Sequence, residues 1–257
     1  MSGKYENNNA GKKKSAVAIA LIAVVVVAVL AAALFLMNRK DDMMPENAQM
    51  TQSAEAEQTQ VQTEQTEPVG ISLGNGLAVL DIGAYTGIYM EDGTDEIVSD
   101  ILMMKVTNIG EDNVEYARIT MAVGEETAEF TLATLKPGDT VVLLEKSRMA
   151  YDSSVDYDSA EIVCQNLALY QEPLRLHEDK LSIQILDGAI YVTNISGKDI
   201  TGRVSIYYKN KASGIYYGGI TYRIVLENGL KDGEIRQMMA SHFSETGSEI
   251  VFVTIGK

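Results

Sequence analysis

From Ala16 to Met37 the chain runs through 22 residues without a charge, a proline or a glycine. Few structures accommodate such a stretch. A helix of roughly 20 apolar residues crosses a bilayer core, where only a segment that satisfies its own backbone hydrogen bonds is stable. A cleavable secretory signal has a shorter apolar region, about 7 to 15 residues, followed by a small-residue cleavage site. Here Ala31 to Ala33 lie inside the run, and Leu34, Phe35, Leu36 and Met37 follow. The expectation is an uncleaved transmembrane helix over 16–37.

Lys4, Lys12, Lys13 and Lys14 precede this segment, whereas Arg39 and Lys40 after it are met at once by Asp41 and Asp42. The excess of positive charge marks the cytoplasmic side. Residues 1–15 are therefore expected to be a basic cytoplasmic tail, with the C-terminal part extracytoplasmic and the chain a single-pass cell-membrane protein. From Asp41 onward there are 15 Lys and Arg against 35 Asp and Glu, a formal charge of −20. A surface of that sign repels nucleic acid and anionic lipid and favours cations or basic partners. With Cys164 as the sole cysteine, an intramolecular disulfide framework is excluded, and stability must come from packing. Cys164 lies in the apolar run Ala160 to Tyr170, where it reads as a small hydrophobe in a buried strand.

Residues 38–69 include Met43 to Pro68, rich in Gln, Glu, Thr, Ser and Ala and without an aromatic residue. Such a composition buries too little surface to fold, so a disordered acidic, Gln-rich tether is expected, with a mean reach on the order of 30 Å. Beyond Gly70 short apolar runs alternate with polar residues between Gly, Asp and Asn, the pattern of an all-β domain. Leu181 to Leu186 and Ala189 to Asn194 flank Asp187-Gly188, a two-residue turn that supplies the positive φ angles of a tight hairpin.

Three blocks recur in order in the two halves of this region. Val106-Thr107-Asn108-Ile109 returns as Val192-Thr193-Asn194-Ile195, Leu135-Lys136-Pro137-Gly138-Asp139 as Leu230-Lys231-Asp232-Gly233-Glu234, and Ser159-Ala160-Glu161-Ile162-Val163, one residue shorter, as Ser248-Glu249-Ile250-Val251. The expectation is two tandem antiparallel β-sandwich repeats, 70–172 and 173–257, divided near Pro173. Each is about the size of a seven-stranded immunoglobulin-like domain. The order of a Val-Thr-Asn strand end, an alternating strand and a Leu-x-x-Gly-acid turn resembles the FxLYD-type and related Ig-like domains of bacterial membrane-anchored surface proteins. Ser205-Ile206-Tyr207-Tyr208-Lys209 stands where that family carries Phe-x-Leu-Tyr-Asp. The resemblance implies a surface-exposed module and carries over no catalytic residue.

No catalytic constellation is present: there is no Gly-x-Ser-x-Gly elbow, no His-Glu-x-x-His and no Walker loop. No cofactor is expected. Two segments stand out as candidate sites. Glu91, Asp92, Asp95 and Glu96 crowd carboxylates around Gly93, hard oxygen ligands of the kind that hold Ca²⁺, or else a solvated acidic turn. Tyr207, Tyr208, Tyr216, Tyr217 and Tyr222, with Lys209, Lys211 and Gly218-Gly219, form a tyrosine-rich hairpin. Tyrosine is enriched in recognition surfaces and equally serves cross-strand packing. Asn194-Ile195-Ser196 fits a glycosylation sequon, while the counterpart Asn108-Ile109-Gly110 does not, so a turn role accounts for both. The function expected is that of a membrane-anchored binding or envelope-assembly module with a protein or glycan ligand, the alternatives being a structural or regulatory subunit of a membrane complex and, third, an envelope enzyme.

Overall fold

The computed structural model describes residues 70–256; the expected tail, membrane helix and tether lie outside them. The described residues are all-β, with one short 3-10 turn at Tyr157–Ser159 and no helix long and apolar enough to cross a membrane. The first seven strands are β1 (Ile71–Gly74), β2 (Leu77–Ile88), β3 (Ile97–Asn108), β4 (Val114–Val123), β5 (Glu126–Leu135), β6 (Thr140–Leu144) and β7 (Ile162–Leu169). After a strandless stretch come β8 (Leu181–Leu186), β9 (Ala189–Asn194), β10 (Val204–Ala212), β11 (Ile215–Leu226), β12 (Ile235–Met238) and β13 (Ser248–Ile255).

Two layers form in each half because alternating residues of facing strands meet. Strands β5-β4-β7 pack on β2-β3-β6 around Met104, Ile119, Phe130, Leu132 and Leu143. Strands β12-β9-β8 pack on β11-β10-β13 around Ile190, Val192, Val204, Ile206 and Val253. The halves are not separate sandwiches, however. Strands β6 and β11 pair in parallel, Val141 with Tyr216 and Val142 with Tyr217, so that one seven-stranded sheet, β1-β2-β3-β6-β11-β10-β13, runs through both. Periodicity in a sequence shows which face of a strand is buried; it does not show which edge is paired.

The sequence echo is reproduced hydrogen bond by hydrogen bond. Asn108 is 1% exposed and Asn194 0%. The Asn108 amide nitrogen donates to the carbonyls of Asp112 (2.8 Å) and Leu135 (3.0 Å), and that of Asn194 to Lys198 (2.8 Å) and Leu230 (3.1 Å). Each side-chain oxygen accepts the N–H two residues on, from Gly110 and from Ser196, at 3.0 Å in both cases. Each backbone carbonyl accepts the N–H of the glycine in the Leu-Lys-x-Gly turn, Gly138 at 2.8 Å and Gly233 at 3.0 Å. Those glycines have φ of +79° and +69°, left-handed values that the turn requires. Leu77 lies opposite Asn108 as Leu181 lies opposite Asn194. Strands β2 to β7 therefore correspond in order to β8 to β13; with β1 the first half has seven strands and the second six. The Asp187-Gly188 turn closes β8 onto β9 with φ of +51° and +71°.

Asn194 is consumed by these bonds, so the sequon serves a turn in the folded chain. Replacing Asn108 or Asn194 with Ala strands several buried backbone groups, each costing about 1–3 kcal/mol. Either variant is expected to lose at least about 2 kcal/mol in chemical denaturation, and the two losses to be similar; a near-neutral Asn194→Ala would refute the equivalence.

Candidate binding groove

The acidic turn and the tyrosine hairpin, far apart in sequence, are packed on each other. Strands β2 and β3 end with Ile88 opposite Ile97, and the turn between them folds back on the sheet. The Tyr89 N–H donates to the Glu96 carbonyl (2.7 Å), and its buried hydroxyl to the carbonyls of Glu145 and Lys146. Arg148 lies 4.5 Å over the Tyr89 ring and pairs with Asp92 (2.8 Å) and Glu96 (2.6 Å). Asp92 also accepts the Thr94 hydroxyl and N–H, which, ahead of Arg148, hold its carboxyl below the usual range. Asp95 meets Nδ1 of His242 at 2.9 Å.

Glu91 points the other way, inward. One carboxylate oxygen accepts the Gly219 N–H (2.7 Å) and the Leu144 N–H (3.2 Å), while the other is buried without a protein partner. The four carboxylates thus have three settings: Asp92 and Glu96 on Arg148, Asp95 on His242, and Glu91 inside. Among the described residues no three acidic, His or Cys side chains gather to hold a metal. Partners distant in sequence divide the four carboxylates: Arg148 bridges Asp92 and Glu96, His242 takes Asp95, and two backbone N–H groups draw Glu91 in.

Those N–H groups are available because β11 departs from its ladder. Between the pairs Tyr208–Tyr222 and Asn210–Tyr217, β10 has one residue, Lys209, and β11 has four, Gly218 to Thr221. The bulge pushes β11 against β5, so close that a Cβ on Gly219 would lie 1.7 Å from the Thr131 carbonyl oxygen. Glycine inside a strand marks such approaches. Lys209 fills the bulge, 0% exposed. Its ammonium donates to the carbonyls of Ala133 (2.8 Å), Ile220 (2.8 Å) and Gly219 (3.3 Å). Burial lowers its pKa to about 7, against the opposing pull of Glu91 and Asp139. Burial likewise raises Glu91, opposed by the Gly219 and Leu144 N–H groups and by Lys209.

The five tyrosines divide by environment. Tyr207 stacks on Phe252 at 4.1 Å, with Tyr170 edge-on to the same ring. Tyr216 is buried in the first core, its hydroxyl donating to Glu249 (3.1 Å) beneath the Lys211 ammonium. Tyr208 stacks on Tyr222, and Tyr222 on the His242 ring at 5.1 Å; burial, then Asp95, pushes the Tyr222 phenol up to about 12. Of the five, Tyr217 alone lines an open groove of about 530 Å³. Ile88, Met90, Ala212 and Phe243 form its apolar walls, with Asn210, Lys211 and the Asp95–His242 pair as polar points.

Sequence reasoning placed Lys209 in the hairpin but not its burial at the bulge, and it missed the parts played by His242 and Arg148. A lysine in mid-strand beside tyrosines, facing Gly218-Gly219 across a hairpin, was the available signal for the first. His242 and Arg148 carried none, because their partners lie 147 and 56 residues away.

No family model and no curated protein matches the chain. Among solved structures it is similar to the C-terminal globular domain of an oligosaccharyltransferase from Pyrococcus abyssi, at 11% identity and a TM-score of 0.19, over 69% of this chain and 45% of that one. The match therefore spans less than half of that protein's length, and a likeness of that degree bears on neither fold nor site.

Two outcomes test the packing at the bulge. Gly219→Ala places a methyl group against backbone that cannot yield, and is expected to destabilise by about 3 kcal/mol or more. Lys209 has a folded pKa below its unfolded value, so the unfolded chain binds more protons between about pH 7 and 10 and stability rises with pH there. The contribution is flat below about pH 7, where both states are protonated. The slope in denaturant melts approaches about 1.4 kcal/mol per pH unit for one proton, and Lys209→Met should abolish it; an unchanged slope would place the titration elsewhere.

Proposed function

We propose that this chain is a membrane-anchored extracytoplasmic protein in which two tandem Ig-like repeats form a binding or assembly module, and that its contact site is the groove lined by Tyr217. The helix expected over 16–37 anchors it, and the tether over 38–69 sets it off the bilayer. The observation that carries the binding reading is the groove itself: concave, largely apolar and supplied with a few convergent polar groups, the composition of ligand sites in general. Its long aliphatic and thioether walls, Ile88 and Met90, suit the side chains of a protein segment better than the flat polar faces of a glycan. Met90 adapts to irregular apolar shapes. Asp95 on its wall, together with the net acidity of the chain, favours a partner that carries basic residues beside its apolar ones.

The full-length chain presented to arrays of synthetic peptides and of glycans tests this. Basic-apolar peptides are expected to bind, and Tyr217→Ala or Ile88→Asp to reduce that binding about tenfold or more with little change in melting temperature. Tyr216→Ala, by contrast, should lower stability by about 3 kcal/mol or more, because that ring is core. Glycan binding lost on Tyr217→Ala would keep the groove and reassign its ligand. Peptide binding indifferent to both groove variants would leave the structural or regulatory reading, in which the module acts through its anchor and tether.

A further inference from the structure

The strands that join the two halves have counterparts at the free ends of the molecule. Strand β6 follows the turn at Gly138 as β12 follows the turn at Gly233, which sets Val141, Val142 and Leu144 against Arg236, Gln237 and Met239. The β10–β11 hairpin closes at Ala212 opposite Ile215 as the β4–β5 hairpin closes at Val123 opposite Glu126, which sets Tyr216 and Tyr217 against Thr127 and Ala128. Within the joint these residues are covered: Leu144 is 2% exposed and Tyr216 1%. Of their counterparts Ala128 is buried in the first core, and the others are bare. Met239 is 71% exposed and Ile235 59%, and Arg236, Gln237 and residues 124–127 are exposed. Strand β12 is the outer strand of its sheet and β5 the outer strand of its own.

We propose that the free edge of β12 in one copy of this chain receives the tip of the β4–β5 hairpin of a second copy, in the parallel pairing by which β6 receives β11 within the chain. The internal joint is the template, and three features of the two surfaces fit it. The ladder of the joint is confined to the hairpin tip, at Tyr216 and Tyr217. Strand β5 is likewise open only at its tip, since from Glu129 onward its outer edge is engaged by Glu145 and Lys146 and then by Lys209 and Thr221. The tip carries Glu125 and Glu126, and β12 carries Arg236, an exposed guanidinium that pairs within the chain only with Glu234 two residues before it and so has donors left for an incoming carboxylate. A charge on an edge strand guards against indiscriminate pairing, and an oppositely charged tip relieves that guard for one partner. Finally, Met239, where Leu144 is covered in the joint, gains a cover. Donor and acceptor surfaces differ on each copy, so the contact is heterologous and propagates head to tail.

Site-specific cross-linking of the full-length chain tests this, because Cys164→Ser leaves no native thiol. In that background, Glu126→Cys protein mixed with Ile235→Cys protein, the exposed positions that the register of the joint sets opposite each other, is expected under mild oxidation to give a mixed disulfide dimer several-fold above the homodimers of either alone. Arg236→Glu on the Ile235→Cys chain should reduce it about tenfold, and Glu125→Lys on the other chain should restore it. Apart from the half-buried Cys164 these positions are exposed, and circular dichroism would verify that each variant is folded. Equal cross-linking in the mixed and single samples, or a charge reversal without effect, overturns the proposal.

Discussion

Lys209 holds an amine where no water reaches it, and much of the arrangement around it follows from satisfying that group. An unpaired buried charge costs several kcal/mol, and here three carbonyls and a nearby carboxylate, Glu91, answer it. Two of those carbonyls, Gly219 and Ile220, exist in the right place only because β11 bulges out of its ladder. The third belongs to Ala133 on β5, in the other half of the sheet system. A single side chain thereby ties the hairpin of the second half to the outer layer of the first. The low dielectric that makes the arrangement costly to break also makes its geometry specific.

The groove is a consequence of that tie. With Glu91 drawn under the bulge, the turn that bears it is pinned over the sheet, and Met90 is brought against Asn210 and Tyr222. Arg148 and His242 then hold the outer carboxylates at the rim. What remains between the turn, the hairpin tip and Phe243 is the groove with Tyr217 on its wall. Behind His242, which lines it, the Tyr222 and Tyr208 rings stack in series. A site built this way is positioned by backbone rather than by loop mobility, which favours preorganised recognition.

Much of the fold was legible. Local signals survived intact wherever the physics is local: the Asp187-Gly188 turn, the strand limits of β8 and β9 and the glycines of the duplicated turns all stand where chain chemistry puts them. The duplication was legible too, because Asn108 and Asn194 perform the same buried task and a task of that kind tolerates few residues. The candidate site was legible in part. Both segments singled out contribute to it, yet the carboxylates do not act together and four of the five tyrosines serve packing. Alternation suggested Tyr207 and Tyr208 on opposite faces but not that both faces of a central strand are covered.

The sequence by itself determined the all-β character of residues 70–256 and the two-fold recurrence within them, since hydrophobic period and turn chemistry operate over a few residues. It also determined the acidity that any partner must accept. The tertiary structure alone decided that the halves share one sheet, that Lys209 is buried against Glu91 and that an acidic turn roofs a tyrosine hairpin more than 100 residues away. Edge pairing and the closing of charged contacts depend on which surfaces meet in space, and no local pattern along a chain encodes that meeting.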